Sequence, residues 1–196
     1  MERVLIFIKH HLGFLWKGIE WGNGKIFCLL FGSSMEKVLA GHLPVTGKSG
    51  ILYRRLEAED AEKLHDLVQS QEPSDLKYFQ PHKFDLSSIR KQFRKCSFLM
   101  MGAFDGDRLA GYFFLRFFAN KKCFVGRLID KPYRGKGIGN EMNTIMYQTA
   151  WKMGFRCLST ISKNNQAVIR AHAKNSTMVL LKELQNDYML VEFVEK

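Results

Sequence analysis

Over the first forty residues apolar positions outnumber polar ones. Leu5, Ile8, Leu12, Leu15 and Ile19 recur at spacings of three and four, which predicts an amphipathic helix. Val4, Phe7, Phe14 and Trp21 widen its apolar face well beyond one stripe. "NGKIFCLLF" follows as a short strand or helix, and a further helix is expected near Ser34–Ala40. His42–Gly50, "HLPVTGKSG", is rich in turn formers and reads as a linker. The chain thus divides into an N-terminal helical extension with its linker, residues 1–48, and a main domain, residues 49–196.

In the main domain the period alternates between two and 3.6. Ile51–Leu56 reads as a strand, and a helix follows from Asp60 with Ala61, Leu64, Leu67 and Val68 at helical spacing. "SQEPSDLKYFQPHKF" holds two prolines and is expected to be a loop. Asp85 or Ser87 caps a helix running to Lys95. Phe98–Phe104 and Leu109–Phe118 form a hairpin around Asp105-Gly-Asp107, and Lys121–Asp130 is a third strand. A helix over Gly137–Met153 ends at Gly154. A strand at Arg156–Ile161, a helix at Asn165–Lys174 and a hairpin of Met178–Leu184 with Tyr188–Val194 complete the domain. The pattern predicts an α/β fold with a mixed sheet flanked by helices.

Composition narrows the chemistry. An apolar share of 46% with 25% charged residues fits a globular chain. A net charge of +11 favours anionic partners, whether phosphorylated cofactors, acidic substrates, nucleic acid or an anionic membrane. No reader motif accompanies the charge, and "RKQFRK" at Arg90–Lys95 is most simply a solvated helix face, so no nucleic-acid partner is expected. Cys28, Cys96, Cys123 and Cys157 have neither CxxC spacing nor a histidine at ligand distance, so no metal site is expected. Cys123 and Cys157 fall in apolar runs and are expected as buried thiols, and His10-His11 as polar helix positions. The runs Val4–Ile8 and Ile26–Phe31 are too short to span a bilayer, and Lys9-His10-His11 interrupts any signal-peptide core. A cytoplasmic protein with no integral membrane segment is the expectation.

The most telling stretch is Arg134-Gly-Lys-Gly-Ile-Gly139, between the third strand and a long helix. A strand–glycine turn–helix unit offers unpaired N–H groups and a positive dipole end to an anion. It lacks the GxxxxGK[ST] of phosphate-loop nucleotidases and the GxGxxG of dinucleotide folds. The alternative is a helix start that simply needs a tight turn.

This stretch resembles the [Q/R]-x-x-G-x-[G/A] signature of the GNAT family, the Gcn5-related N-acetyltransferases. The element order of roughly residues 51–196 is similar to the family's. The resemblance implies a GNAT acyl-CoA acyltransferase fold with an N-terminal helical extension. It implies acetyl-CoA as co-substrate, without a metal, and an N-acetyltransferase whose amine acceptor attacks the thioester directly. The backbone amides of Arg134, Gly135, Lys136, Gly137, Ile138 and Gly139 would hold the pyrophosphate. Ile129 would present its amide to the thioester carbonyl, and Asn165 would lie beside the pantetheine arm. His172 stands where the family usually has a tyrosine acting as general acid. A histidine with an ordinary pKa near ~6.5 would serve there, or it would simply end a helix face. No glutamate occurs on the third strand, where many members carry one. Asp130, a water chain and the 70–85 loop are the open choices of base. Ser176-Thr177 replaces the family's usual Gly-Phe.

The rival to an enzyme is a non-catalytic acyl-CoA-binding module. For the acceptor, Tyr78, Phe79, His82 and Phe84 with Lys77, Lys83 and Arg90 suit a small-molecule amine that is anionic or sugar-like. A core-capping role for those aromatics, and a protein or peptide amine as acceptor, are the alternatives. The greasy extension is expected to bury itself against protein, including a twin subunit in a homodimer, with a membrane surface as the other reading.

Overall fold

The structure, a computed structural model, describes residues 13–173 and 177–195. Leu5, Ile8, Leu12, His10-His11, Lys174 and Ser176 therefore lie outside the described residues. The chain runs α1 (Gly13–Ala40), β1 (Val45–Thr46), β2 (Leu52–Arg55), α2 (Ala61–Gln69), α3 (Pro73–Leu76), α4 (Leu86–Gln92), β3 (Phe98–Asp105) and β4 (Arg108–Phe118). It continues through β5 (Lys122–Ile129), α5 (Ile138–Lys152), β6 (Arg156–Ser162), α6 (Gln166–Ala173), β7 (Thr177–Glu183) and β8 (Tyr188–Val194).

The eight strands form one sheet in the order β1-β2-β3-β4-β5-β6-β8-β7. Only β5 and β6 pair in parallel, and only over Lys122–Phe124 against Arg156–Leu158. Beyond Phe124 the two strands part. All other pairs are antiparallel.

Both faces of the sheet are covered, which explains the unbroken apolar run "FLMMGAF" in β3, buried from Phe98 to Phe104. On one face α1 and α5 bury Phe27, Met35, Met142 and Met146 against Leu99, Phe113, Leu115 and Phe117. On the other, α2 and α4 bury Leu64, Leu67, Val68 and Ile89 against Phe98, Met100 and Tyr112.

Three local expectations change. "NGKIFCLLF" is neither a strand nor a separate helix, because α1 is continuous through it, with Phe27, Phe31 and Met35 one turn apart on the core side. The linker is not free: Val45–Thr46 adds an edge strand to β2. It is also tied to α5, since Glu141 accepts hydrogen bonds from Lys48 N–H (2.8 Å), Ser49 Oγ (2.8 Å) and Tyr53 OH (2.7 Å). A Cβ on Gly47 would meet Glu141 Oε2 at 2.1 Å, so that tie needs glycine. The loop after α2 contains the short helix α3.

Cys123 and Cys157 are buried and free, as expected. Cys28 and Cys96 form a disulfide from α1 to the start of β3, with Cα atoms 5.9 Å apart. Their separation of 68 residues gave no sign of pairing. In a reducing compartment they would stand as two thiols. Among the described residues no helix is long and apolar enough to cross a membrane.

At the entrance to α2, Asp60 accepts a bidentate pair from Arg54 (2.6 and 2.8 Å) and the N–H of Glu57 (2.9 Å). Burial alone would raise the Asp60 pKa, but Arg54 and the N–H outweigh it and hold the carboxyl below its ordinary value. A depressed folded pKa gives stability that is full above the unfolded value, about 3.9, and is lost as pH falls through the folded one. Asp60→Asn should cost about 2 kcal/mol at neutral pH and flatten the acid limb of a stability–pH curve from urea melts. An acid limb identical to the wild type would show that the pair contributes nothing.

Candidate active site

The parting of β5 and β6 opens a cleft of about 380 Å³. Tyr78, Phe79 and Phe114 line one side; Val125–Leu128, Met146, Ser159–Ser162, Asn165 and Val168 line the rest. Gly126 sits beneath the rings, and a Cβ there would meet Phe114 at 2.8 Å. One bridge crosses the gap, from Ser159 Oγ to the carbonyl of Val125 at 3.1 Å.

Strand geometry fixes which amides face the gap. Asp130 N–H donates to Ala110 of β4 at 3.0 Å. Successive N–H groups point to opposite edges of a strand, so those of Ile129 and Arg127 face away from β4, over the cleft. The carbonyl of Ile129 points the same way and accepts Arg134 Nε at 3.0 Å.

The glycine turn follows β5 and reaches the cleft wall where Gly139 packs on Arg127. Gly135 and Gly137 have φ of 79° and 85°, the left-handed region, with open space where a Cβ would go. Gly139 is there for contact: a Cβ would meet Ile129 Cδ1 at 3.0 Å and Arg127 Nη1 at 3.1 Å. The three glycines thus serve two purposes, turn geometry and close packing of α5 on β5. Asn140 and Glu141 N–H groups return to Gly137 O. Among the described residues no acceptor meets the N–H groups of 135–139, the orphan donors of a helix start. Ile138 is buried in the core.

The two signature cations are deployed differently. Arg134 lies across the end of β5, donating to Ile129 O, to Gln71 Oε1 (3.1 Å) and to Asp75 (3.0 Å). The Arg134 guanidinium holds the Asp75 carboxyl below its usual range. Lys136 Nζ lies 5.1 Å from the Tyr133 ring centroid.

Asp130 is buried, and both its oxygens are engaged. Gln71 Nε2 donates to Oδ1 (3.0 Å) and Arg108 Nη2 to Oδ2 (2.7 Å), and the residue does not line the cleft. Asn165 lines the cleft and accepts the Val168 N–H at 3.2 Å, capping α6. His172 belongs to α6, one helical turn beyond the cleft residue Val168. Its side chain lies outside what is described. Of the loop aromatics, Tyr78 and Phe79 line the cleft, while Phe79 and Phe84 also pack in the second core cluster.

Sequence reasoning passed over Arg127. Its Nε donates to Asn143 Oδ1 at 2.7 Å, and burial pushes its pKa down. Among the described residues it has no carboxylate within ion-pair distance, and the buried Asn143 Nδ2 has no partner. It also passed over Gln71, the hub joining Arg134 to Asp130. Neither belongs to a motif; both matter only once β5, α2 and α5 meet.

A mixed sheet whose parallel pair, β5 and β6, parts after three residues, with a glycine turn between β5 and α5, is the arrangement that the signature suggested. The profile of the Acetyltransferase (GNAT) family matches residues 61–176, more than half the chain, and the chain belongs to that family. No curated protein matches it. Among solved structures, the GNAT domain of S. lividans PAT is 14% identical, covering 76% of this chain and 94% of that one, with a TM-score of 0.66. The PaiA N-acetyltransferase of Thermoplasma acidophilum, in complex with coenzyme A, is 18% identical over 73% and 98%, TM-score 0.61. RimL, a ribosomal L7/L12 α-N-protein acetyltransferase also in complex with coenzyme A, is 18% identical over 76% and 94%, TM-score 0.60.

Proposed function

We propose that this GNAT acetyltransferase binds acetyl-CoA in the cleft between β5 and β6 and transfers the acetyl group to the amine of a small, anionic or sugar-like acceptor. One observation carries the reading: a gap faced by the N–H groups of Arg127 and Ile129 lies beside a turn whose N–H groups, 135–139, meet no acceptor among the described residues. The two amides of pantetheine would lie along β5 as an added strand. The pyrophosphate would sit on the N–H groups of 135–139, since that of Arg134 donates to Lys131 O at 3.2 Å, and Asn165 would border the arm. That PaiA and RimL were solved in complex with coenzyme A supports the choice of cofactor.

In the reaction a neutral amine nitrogen attacks the thioester carbon. The C–N bond forms, the C–S bond breaks, and the thiolate of coenzyme A takes up a proton. The inward N–H of Ile129 would stabilise the oxyanion, while most of the acceleration comes from positioning. We assign the departing thiolate's proton to His172. Asp130 receives the acceptor's proton only through a water relay, since Gln71 and Arg108 already occupy its oxygens.

His172→Phe should lower kcat by at least about 10-fold with little change in acetyl-CoA affinity. Equal loss of cofactor binding, or an unchanged rate, would assign the residue a structural role. The activity itself is tested by thiol release from acetyl-CoA with amino sugars, nucleotide sugars, polyamines, amino acids and a peptide α-amine. Release dependent on a small amine supports the proposal. Tight binding with no release for any amine identifies a binding module, and release with the peptide alone moves the acceptor to protein.

We also propose residues 1–48 as an accessory extension to a catalytic domain of 49–196. Its outward residues Ile26, Leu29 and Leu30 are 51%, 86% and 61% exposed, which supports a homodimer contact there.

A further inference from the structure

A second hollow, of about 620 Å³, lies between α1 and the segment from Pro81 to Phe98. It is large enough for one compact ligand. A third of its lining, Glu20 to Cys28, comes from the extension, outside the family-matched residues 61–176. The hollow thus joins the extension to the family-matched domain.

Its charge is one-sided. Lys25, Lys83, Arg94, Lys95 and Arg116 face a single carboxylate, Glu20, and Arg116 already holds that carboxylate. Among the described residues the other four cations have no carboxylate within ion-pair distance. Four like charges around one concavity repel one another, and a multivalent anion would relieve that repulsion. A flat surface for planar chemistry stands at the rim: Trp21 is 69% exposed, with Lys25 Nζ 5.9 Å from its ring centroid.

The hollow adjoins the cleft. Phe98 of the hollow stacks on Phe114 of the cleft with centroids 5.3 Å apart, and Phe118 meets Phe124 edge-on at 5.8 Å. Pro81 lines both. Arg116 and Phe114 are two residues apart on β4 and share a face of the sheet. The two spaces share this wall, and a ligand passing over Pro81 would place its amine in the cleft and its anionic end among the cations.

Resting on the acetyl-transfer reading, we propose that this hollow recognises the phosphate-bearing end of the acceptor, an amine of nucleotide size with a planar ring. The extension is then part of the substrate site. A recessed, two-walled space of this volume favours such a small molecule over an acidic peptide, which would lie along an open groove.

The test is calorimetric titration of uridine diphosphate into protein saturated with coenzyme A, so that the cofactor's own phosphate site is filled. Binding is expected, weakening with added salt. It should fall at least about 10-fold in Arg94→Glu/Lys95→Glu and in Lys25→Glu. It should hold in Lys37→Glu/Lys152→Glu, which makes the same charge change elsewhere. Coenzyme A affinity should hold in all of them. No binding to the wild type, an equal loss in the control pair, or an acidic peptide binding where uridine diphosphate does not would overturn the proposal. If coenzyme A itself failed to bind, the acetyl-transfer reading would fall, and the Arg94/Lys95 dependence measured without it would still decide the hollow.

Discussion

Gly137→Glu is expected to remove measurable acetyl-CoA binding while leaving the protein folded. Gly137 precedes α5 in the left-handed region, at φ 85°. Any L-residue there bears a strain of about 1–2 kcal/mol, well short of unfolding a domain of this size. No atom lies within 4 Å of where its Cβ would be, so the added Cβ meets no protein. The new side chain does project over the N–H groups proposed to hold the pyrophosphate, with a negative charge. Gly137→Ala carries the same strain without charge or bulk and should retain most of the affinity. Calorimetry on the two variants, with circular dichroism as the folding control, separates strain from electrostatics. A folded Gly137→Glu protein with unchanged affinity would remove the turn from the cofactor site.

The second large effect concerns α1. Phe27 is fully buried, with ring centroids 5.0 Å from Phe117 and 5.8 Å from Phe155. Phe27→Ala should cost about 3–5 kcal/mol, through lost transfer energy and the cavity left behind. Deleting residues 1–41 also removes Met35 and Leu39 from the same cluster and should yield aggregating protein. Urea melts of the point variant and light scattering of the truncation check this. A truncated protein that stays soluble and melts like the full chain would show that the extension is not needed to complete the core.

What was legible beforehand followed from local pattern. Apolar runs on either side of Asp105-Gly-Asp107 marked β3 and β4, period 3.6 marked α2 and α5, and Gly135 and Gly137 do occupy positive-φ positions. What was not legible depends on distant contacts. Arg134 belongs to the signature by sequence, yet its side chain crosses to Gln71 and Asp75, some sixty residues earlier. Nothing at Phe124 or Leu158 announces that two strands part there; pairing between distant strands decides it. "NGKIFCLLF" could not be assigned because apolar residues occur all round that part of α1, so the periodic signal vanishes. The second hollow needs α1 laid against the ends of β3 and β4, an arrangement no short window encodes.

The account's central claim is that coenzyme A lies in the β5–β6 cleft with its phosphates on the glycine turn. A crystal structure of the full chain with coenzyme A tests this most directly. The prediction is pyrophosphate oxygens within about 3.2 Å of the N–H groups of 135–139, and pantetheine running between Arg127–Ile129 and Ser159–Ser162. Coenzyme A bound elsewhere, or a cleft that stays empty at saturating ligand, would contradict it.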